Sequence, residues 1–539
     1  MSPESNKKEN NPLGIVIGGS VSKGLKIKLD RSTESERIAV GSYIVVNGDF
    51  QRIFGMITDI ELDTLASLNP IKPTSSFSAA VLEGTAFFSI LTVTPMLILD
   101  PDTQETQPNR GIPNHFATVR LAEKDDISII FGEEDREHLS IGEPMEMEDF
   151  DVVLDLRSTV ERSSGVFGKS GTGKTFLVRQ LLAGFVKGNI AGNLIFDMHN
   201  EYGWTGRDHE RSRDVKGLKQ LYGSQVVVLT LDPESSNRRK VPTDGTINIS
   251  YSEIEPEDIE ILSETLNLTE VGKQLPYRLQ RVYGKKWLGI FLDLDNNGIK
   301  ELVNELNENE STVQALKRRL EGLKRFEFLS ESGGNKAVQS IMNYLDKGFS
   351  VVLEFGKYGR QELAYILVAN LLSRRVFDTY IKRTEKSVDV SDSTNPLVIT
   401  IEEAHKFLSP TLAPQTIFGT IAREGRKYGV TLLVVDQRPS GIDEEIISQI
   451  GTKLVCFLDN EKDIDAVLSG ISGKSELKNV LSRLGSVQQA LLVGHALPMP
   501  IVVKTKEYGT PESYLRLASS SNPTEFKEQW NDKIDDLFS

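Results

Sequence analysis

From Gly14 onward the chain repeats short apolar runs set apart by turn residues: Gly14–Ile17, Leu25–Leu29, Tyr43–Val46, Ile53–Ile57, Phe87–Leu91 and Ala117–Leu121. This spacing predicts a small β-barrel or sandwich. Within the second run Leu25, Ile27 and Leu29 fall on one face and Lys26 and Lys28 on the other, the period-two pattern of a strand buried on one side. Residues 1–12 are polar and rich in Asn, Lys and Glu, which predicts a disordered tail. Leu62–Ser78 reads as a long connection inside the barrel, and Leu139–Leu156 as the linker leading out of it.

Past residue 160 the pattern changes. Gly165–Phe167, Asn193–Phe196, Val226–Leu231, Thr246–Ile249, Val351–Phe355, Leu397–Ile401, Val430–Val435 and Leu454–Leu458 are nearly unbroken apolar runs, as expected of strands buried on both faces. They alternate with helical stretches, the longest over about 361–381, so a doubly wound parallel sheet is predicted. Residues 254–346 interrupt the alternation with charged, leucine-rich sequence at helical spacing, as in Val313, Leu316, Leu320 and Leu323. The predicted organisation is a barrel over 13–138, an α/β core over 139–253 and 347–509, a helical insertion over 254–346, and an extension over 510–539. In that extension Tyr514, Leu515, Phe526, Trp530 and Leu537 are available to pack on the domain's own edge or on a neighbour.

A chain of 539 residues exceeds what one core supports, so two or three domains are expected. No apolar stretch approaches the ~20 residues of a membrane span, and Met1–Lys8 lacks the apolar segment of a secretory signal. A cytoplasmic protein without membrane contact is the expectation. Cys456, the sole cysteine, lies in an apolar run, which excludes disulfides within the chain, and the six histidines are scattered without zinc-ligand spacing. A net charge of −15 argues against a surface broadly adapted to nucleic acid, though not against basic groups confined to a channel.

The candidate chemistry begins at Gly168-Lys169-Ser170-Gly171-Thr172-Gly173-Lys174-Thr175, with an apolar strand before and an amphipathic helix after. Glycines allow a tight turn whose backbone N–H groups converge on phosphate oxygens, and the following helix adds the positive end of its dipole. Lys174 then reaches the outer phosphates of ATP, and the Thr175 hydroxyl ligates Mg²⁺. A second element lies downstream: the β-branched strand Leu397–Ile401 ends in Glu402 and Glu403. In an open α/β sheet that end faces the ligand, so Glu402 is expected to hold the metal through water and Glu403 to polarise the attacking water. Asp197 and Glu201, after another buried strand, join the same site.

Arg423 and Arg426, one helical turn apart before the Val430 strand, stand where oligomeric ATPases present an arginine to the neighbouring subunit's γ-phosphate. Such a residue contributes about 10³ to 10⁵ in rate. Arg426 is favoured over Arg423. Gln437, polar at a strand's carboxyl end, is expected to sense the γ-phosphate, and Arg162 is a further candidate for a contact between subunits.

With these residues assembled, the chain resembles the HerA family of hexameric DNA-translocating ATPases, within the FtsK and HerA group. The likeness rests on the barrel, Gly168–Thr175, Asp197-Met198-His199-Asn200-Glu201-Tyr202, Glu402-Glu403-Ala404-His405, and Arg423-Glu424-Gly425-Arg426-Lys427-Tyr428-Gly429. It implies an α/β fold: a RecA-like doubly wound sheet with an N-terminal small β-barrel and a helical insertion. It also implies a homohexamer that hydrolyses ATP with Mg²⁺, threads DNA through its central channel and works with a NurA-like nuclease or a defence effector such as a sirtuin-like protein. Glu at position 402 replaces the Asp of most P-loop enzymes, a departure the family accommodates. For DNA contact the candidates are Lys357, Tyr358 and Arg360, or Arg238, Arg239 and Lys240. Two other functions fit the same motifs: a nucleotide-regulated scaffold that activates an effector, and a secretion or conjugation motor.

Overall fold

The computed structural model describes residues 12–21, 23–30, 38–48, 51–64, 87–100, 105–145, 150–208, 213–331, 337–386, 395–471, 473–485 and 487–518. The chain divides into two compact units: Met1–Asp155 with Lys453–Lys506, and Leu156–Thr452 with Glu507–Ser539.

In the first unit six antiparallel strands close on themselves in the order Gly24–Leu29, Gly14–Ser20, Thr118–Leu121, Tyr43–Asn47, Arg52–Thr64 and Phe87–Leu99, with the last pairing back to the first. Closure leaves no free strand edge among them. The alternation read from the sequence holds: Leu25, Ile27 and Leu29 are buried with Val16, Ile44, Val46, Ile53, Ile57, Leu91 and Val93. Lys26 is exposed, and the Lys28 ammonium lies 4.3 Å from the Phe88 ring centre. The connection expected over 62–78 starts later, because Leu62–Thr64 extends the fourth strand; residues 65–86 fall outside the described ones.

The stretch 139–156, expected as a simple linker, instead forms strands His138–Pro144 and Val152–Asp155, and the first of these pairs antiparallel with Ile501–Thr505. Leu139, Ile141, Val152 and Leu154 are all buried. The acidic, methionine-containing sequence between these strands conceals the period-two pattern. Tyr43 fastens the barrel to the late segment within this unit: its hydroxyl donates to the Pro500 carbonyl (3.0 Å) and accepts from the Val502 N–H (3.1 Å). Cys456 is buried in its strand.

In the second unit seven strands run parallel in the order Gly245–Thr246, Val226–Thr230, Ser350–Glu354, Gly192–Asp197, Leu397–Glu402, Val430–Asp436 and Ser164–Phe167. Apart from the short edge strand Gly245–Thr246, they are buried throughout, which matches the unbroken apolar runs. The helix Glu362–Lys386 is buried continuously from Leu363 to Ser373, and among the described residues no helix is long and apolar enough to cross a membrane.

Residues 254–346 carry the predicted helices, at Pro256–Glu260, Glu270–Tyr283, Trp287–Asp293, Asn296–Leu306, Glu310–Glu321 and Ala337–Leu345. Several begin at a side-chain cap: Thr269 accepts from the Gly272 N–H, Asp295 from Gly298 and Asn309 from Ser311. Val313, Leu316, Leu320 and Leu323 are buried, so the helical spacing read from the sequence is a core stripe. Arg374 of the long helix pairs with Asp258 at 2.7 Å and with Glu255, tying the helical segment to the sheet's flanking layer. In the extension, helix Pro511–Ala518 docks on Lys174–Gly188: Lys187 donates to the Arg516 carbonyl (3.1 Å), and the Tyr514 hydroxyl accepts from the Lys216 N–H (2.8 Å). Phe526, Trp530 and Leu537 lie outside the described residues.

Candidate nucleotide-binding site

Strand Ser164–Phe167 runs directly into the glycine-rich turn, and helix Lys174–Gly188 leaves it. Gly171 and Gly173 have φ of 81° and 99°, a left-handed backbone that glycine adopts without strain. Gly173 is also the helix N-cap, so the first N–H groups of the helix have no capping side chain. The loop is braced from within, the Thr172 hydroxyl donating to the Lys169 carbonyl at 2.7 Å and the Lys174 ammonium to the same oxygen at 3.0 Å. The result is a turn of backbone donors at a helix's positive end, suited to a polyphosphate.

Along the same edge of the sheet, five neighbouring strands end in or run into buried acids: Asp232, Glu354, Asp197, Glu402 and Asp436. Each is held differently. Asp232 accepts from the Lys357 N–H (2.9 Å) and caps the helix Pro233–Arg239. Glu354 pairs with Arg239. Asp197 turns both oxygens to backbone, accepting from Glu201 and Tyr202 (2.8 Å each) and Gly203 (3.3 Å). Asp436 accepts from the N–H groups of His405 (2.7 Å) and Arg438 (2.6 Å) and pairs with the His405 ring. Glu402 accepts at one oxygen from the Tyr202 hydroxyl (2.7 Å), while its Oε2 is buried without a partner.

Of the five, Glu402 alone keeps such an orphaned oxygen. Burial, with Asp197 adding like charge, pushes its pKa up to about 8, and burial with Glu354 nearby pushes Asp197 up to about 7. A cation is what this environment lacks. Mg²⁺ therefore fits the donor set, an unsatisfied carboxylate oxygen on one side and the half-buried Thr175 hydroxyl on the loop.

Glu403 stands one residue beyond the strand with φ of 49°, a left-handed conformation rare for a residue with a Cβ. Its carboxylate accepts from the Gln437 side-chain amide at 2.9 and 3.2 Å, and the His405 Nδ1 lies 3.8 Å away. Strand pairing sets this meeting: Glu402 lies opposite Val435, and Asp436 opposite Phe167, so Glu403, Gln437 and Gly168 leave three adjacent strands at one level.

The fold gathers Gly168, Ser170, Gly171, Thr172, Gly173, Lys174, Thr175, Glu402, Glu403 and Gln437 on one edge, with Asp197 and Glu201 beside them. Glu201 contributes backbone, its N–H to Asp197 and its carbonyl to Arg179. Arg423 and Arg426 are exposed on helix Ile417–Glu424 and the turn Gly425–Tyr428, and their side chains bond to no described residue. Arg162 is exposed at the amino end of the Ser164 strand, the edge opposite its own phosphate loop, so the fold does not bring it to the cluster.

The DNA-contact candidates separate. Tyr358 is buried against Phe326 and Phe328, and Arg239 pairs with the buried Glu354, so these two serve the fold, while Lys357 is exposed and pairs at 2.6 Å with the exposed Glu327. Arg238, Lys240 and Arg360 are exposed.

Sequence reasoning missed the second layer. Tyr202 and Tyr365 both serve Glu402, the latter donating to its carbonyl (3.0 Å) and accepting from its N–H (3.2 Å). Arg179 is buried on the phosphate-loop helix with its guanidinium 5.9 and 5.6 Å from the Phe176 and Tyr508 ring centres. Only a polar residue within an otherwise apolar helix face signalled Arg179; nothing local signalled Tyr365.

The comparisons with known proteins bear on this geometry. A family model described as "Helicase HerA, central domain" matches residues 139–376, and one described as "HAS barrel domain" matches 13–95. A DNA double-strand break repair helicase HerA of Sulfolobus acidocaldarius is 26% identical over 522 residues, 92% of this chain and 93% of that one. The protein of the same name from Sulfurisphaera tokodaii is 24% identical over 521 residues, again 92% and 93%. The chain belongs to the HerA helicase family.

As a HerA-family protein it is a P-loop ATPase of the helicase class, and the barrel, parallel sheet and helical insertion are the expected architecture. Among solved structures, VirB4 of Thermoanaerobacter pseudethanolicus aligns with a TM-score of 0.46 and 15% identity, over 71% of this HerA-family chain and 99% of that one.

Proposed function

We propose that this HerA-family ATPase is a cytoplasmic homohexameric motor that moves double-stranded DNA through its central channel and serves a nuclease or defence-effector partner. The observation that carries the reading is the convergence of the phosphate loop, Glu402 and the Glu403–Gln437 pair on one edge of the sheet. The backbone of Gly168–Gly173 and the Lys174 ammonium bind the triphosphate, and Thr175 and Glu402 hold Mg²⁺, Glu402 through water. When bound, the ion offsets charge on the β- and γ-phosphates. Glu403 orients and polarises the attacking water. Gln437, bonded to that carboxylate, senses the γ-phosphate and passes its loss to the Arg438 turn.

Arg426, with Arg423 beside it, reaches the γ-phosphate of the neighbouring subunit. In support, both arginines are exposed and their side chains bond to no described residue. Relatives named as DNA double-strand break repair helicases support DNA as the track. Arg238, Lys240 and Arg360, exposed beyond the carboxyl ends of neighbouring strands, supply phosphate contacts without reading bases.

Purified protein tests the reading. Lys174→Ala is expected to lose nucleotide binding, whereas Glu403→Ala binds but does not turn over. If Glu403→Ala hydrolyses ATP normally, the assignment of the water-polarising group is wrong. Native mass measurement with and without ATP, followed by hydrolysis with duplex DNA, tests the motor. A hexamer with stimulated turnover is expected; a monomer, or a ring that no DNA stimulates, would overturn it.

A further inference from the structure

Asp436 touches three loops at once. Its carbonyl accepts from the Gly168 N–H at the start of the phosphate loop (3.3 Å). Its Oδ2 accepts from the His405 N–H (2.7 Å), two residues past Glu403, and its Oδ1 from the Arg438 N–H (2.6 Å), one residue past Gln437. The imidazole of His405 completes the arrangement, with Nδ1 3.0 Å from Oδ2 and 3.2 Å from Oδ1. The carboxylate side chain is fully buried, the imidazole partly exposed. The turn Pro439–Gly441 closes over the ring so tightly that a Cβ on Gly441 would lie 3.1 Å from the His405 Cβ.

Between these bonds sits the strained residue. A left-handed backbone at Glu403 is unfavourable for a residue with a Cβ and persists only where its surroundings over-determine it. Within the following turn the Lys406 N–H donates to the Glu403 carbonyl and the Phe407 and Leu408 N–H groups to the Ala404 carbonyl (2.9 Å each), while the ties that hold the turn to the neighbouring strand are the Ala404 N–H to the Val435 carbonyl at 3.4 Å, which is long, and the two bonds from His405 to Asp436. The charge-assisted pair is the stronger restraint. The hydrogen bond to Asp436 raises the His405 pKa, which favours the imidazolium as donor.

We propose that Asp436 and His405 form a clamp of positioning residues that holds Glu403 and Gln437 in register with the phosphate loop, setting the rate of hydrolysis without contributing to nucleotide affinity. The inference rests on Glu403 being the water-polarising group. An asparagine at 436 keeps one acceptor oxygen and puts an NH2 group in place of the other, so one of the two N–H groups loses its acceptor, which releases one of the two turns. A leucine at 405 removes the ring donor, whereas an asparagine places its Nδ2 near the position of the histidine Nδ1.

The test measures kcat, KM and the affinity for a fluorescent ATP analogue on the full-length protein. Asp436→Asn and His405→Leu are expected to lower kcat about tenfold or more, with KM and analogue affinity within about twofold of wild type. His405→Asn should recover kcat to within about threefold. Should Asp436→Asn fail to fold, the partly exposed His405 pair decides alone. Equal rates for His405→Leu and His405→Asn, or a loss of affinity parallel to the loss of rate, would overturn the clamp. Glu403→Ala is run alongside: if it retains turnover, the reading of Glu403 fails; if it is inactive while the clamp variants match wild type, only the clamp fails.

Discussion

Arg239 offers the sharpest separation of a fold role from a DNA role. Its guanidinium meets Glu354, a carboxylate that is fully buried at the end of a central strand, while the arginine side chain retains 30% of its exposure. Arg239→Ala leaves Glu354 buried without its cation and beside Asp197, whose own pKa is already raised in part by that neighbour. Breaking a fully buried pair on one side costs about 3–5 kcal/mol; with the arginine a third exposed, water recovers part, so about 2–3 kcal/mol is expected. For a unit of this size that lowers the melting temperature by roughly 3–8 °C.

Differential scanning calorimetry on Arg239→Ala, Arg238→Ala and the double substitution Arg239→Met with Glu354→Gln reads the effect. Arg238→Ala, at an exposed position, should melt with wild type yet bind duplex DNA more weakly and with a shallower salt dependence. The neutral double substitution should recover most of the loss. An Arg239→Ala protein that melts within about 1 °C of wild type while losing DNA affinity would refute the reasoning and return Arg239 to the DNA surface.

Three further outcomes are expected. The carboxyls of Glu402 and Asp197 have folded pKa values of about 8 and about 7, above their unfolded values, so the folded state holds protons that the unfolded chain releases. Stability of the nucleotide-free protein in EDTA should therefore decline as pH rises from about 4.5 to about 8, at up to about 1.4 kcal/mol per pH unit for each group. Glu402→Gln should flatten that slope in thermal melts, and an unchanged slope would contradict the environment described. Gly359→Ala places a Cβ 1.9 Å from the Met198 carbonyl, so the segment bearing Arg360 must move; at least about 2 kcal/mol of destabilisation is expected, and a neutral melt would show that the contact is not tight. Arg426→Ala should cut turnover about 10³-fold with nucleotide affinity intact, and a larger loss from Arg423→Ala would exchange the two roles.

Where the sequence spoke clearly, burial and motif coincided. The strand ends at Glu402 and Asp436 were legible because β-branched runs stop abruptly at acids, and Gly168–Thr175 because glycine spacing and flanking elements agree. The tie between Tyr202 and Glu402 spans 200 residues, and that between Arg239 and Glu354 spans 115, so no local pattern carries them. Basic clusters misled for the opposite reason. Arg239 looks like solvated charge in sequence, yet it is drawn to Glu354, a buried acid that only the strand order brings near. The strand His138–Pro144 escaped notice because its partner, Ile501–Thr505, arrives more than 350 residues later.

That late partner has a consequence during synthesis. The barrel and the strands up to Asp155 leave the ribosome long before Lys453–Lys506, which belongs to the same unit. At about 5–20 residues per second, strand His138–Pro144 waits roughly 20–70 s with a bare hydrogen-bonding edge while the ATPase unit is made in between. The growing chain thus depends on the parallel sheet of its ATPase unit folding promptly, or on a chaperone shielding that edge, and truncations ending just before Ile501 should aggregate even though the barrel strands and the seven parallel strands are all encoded.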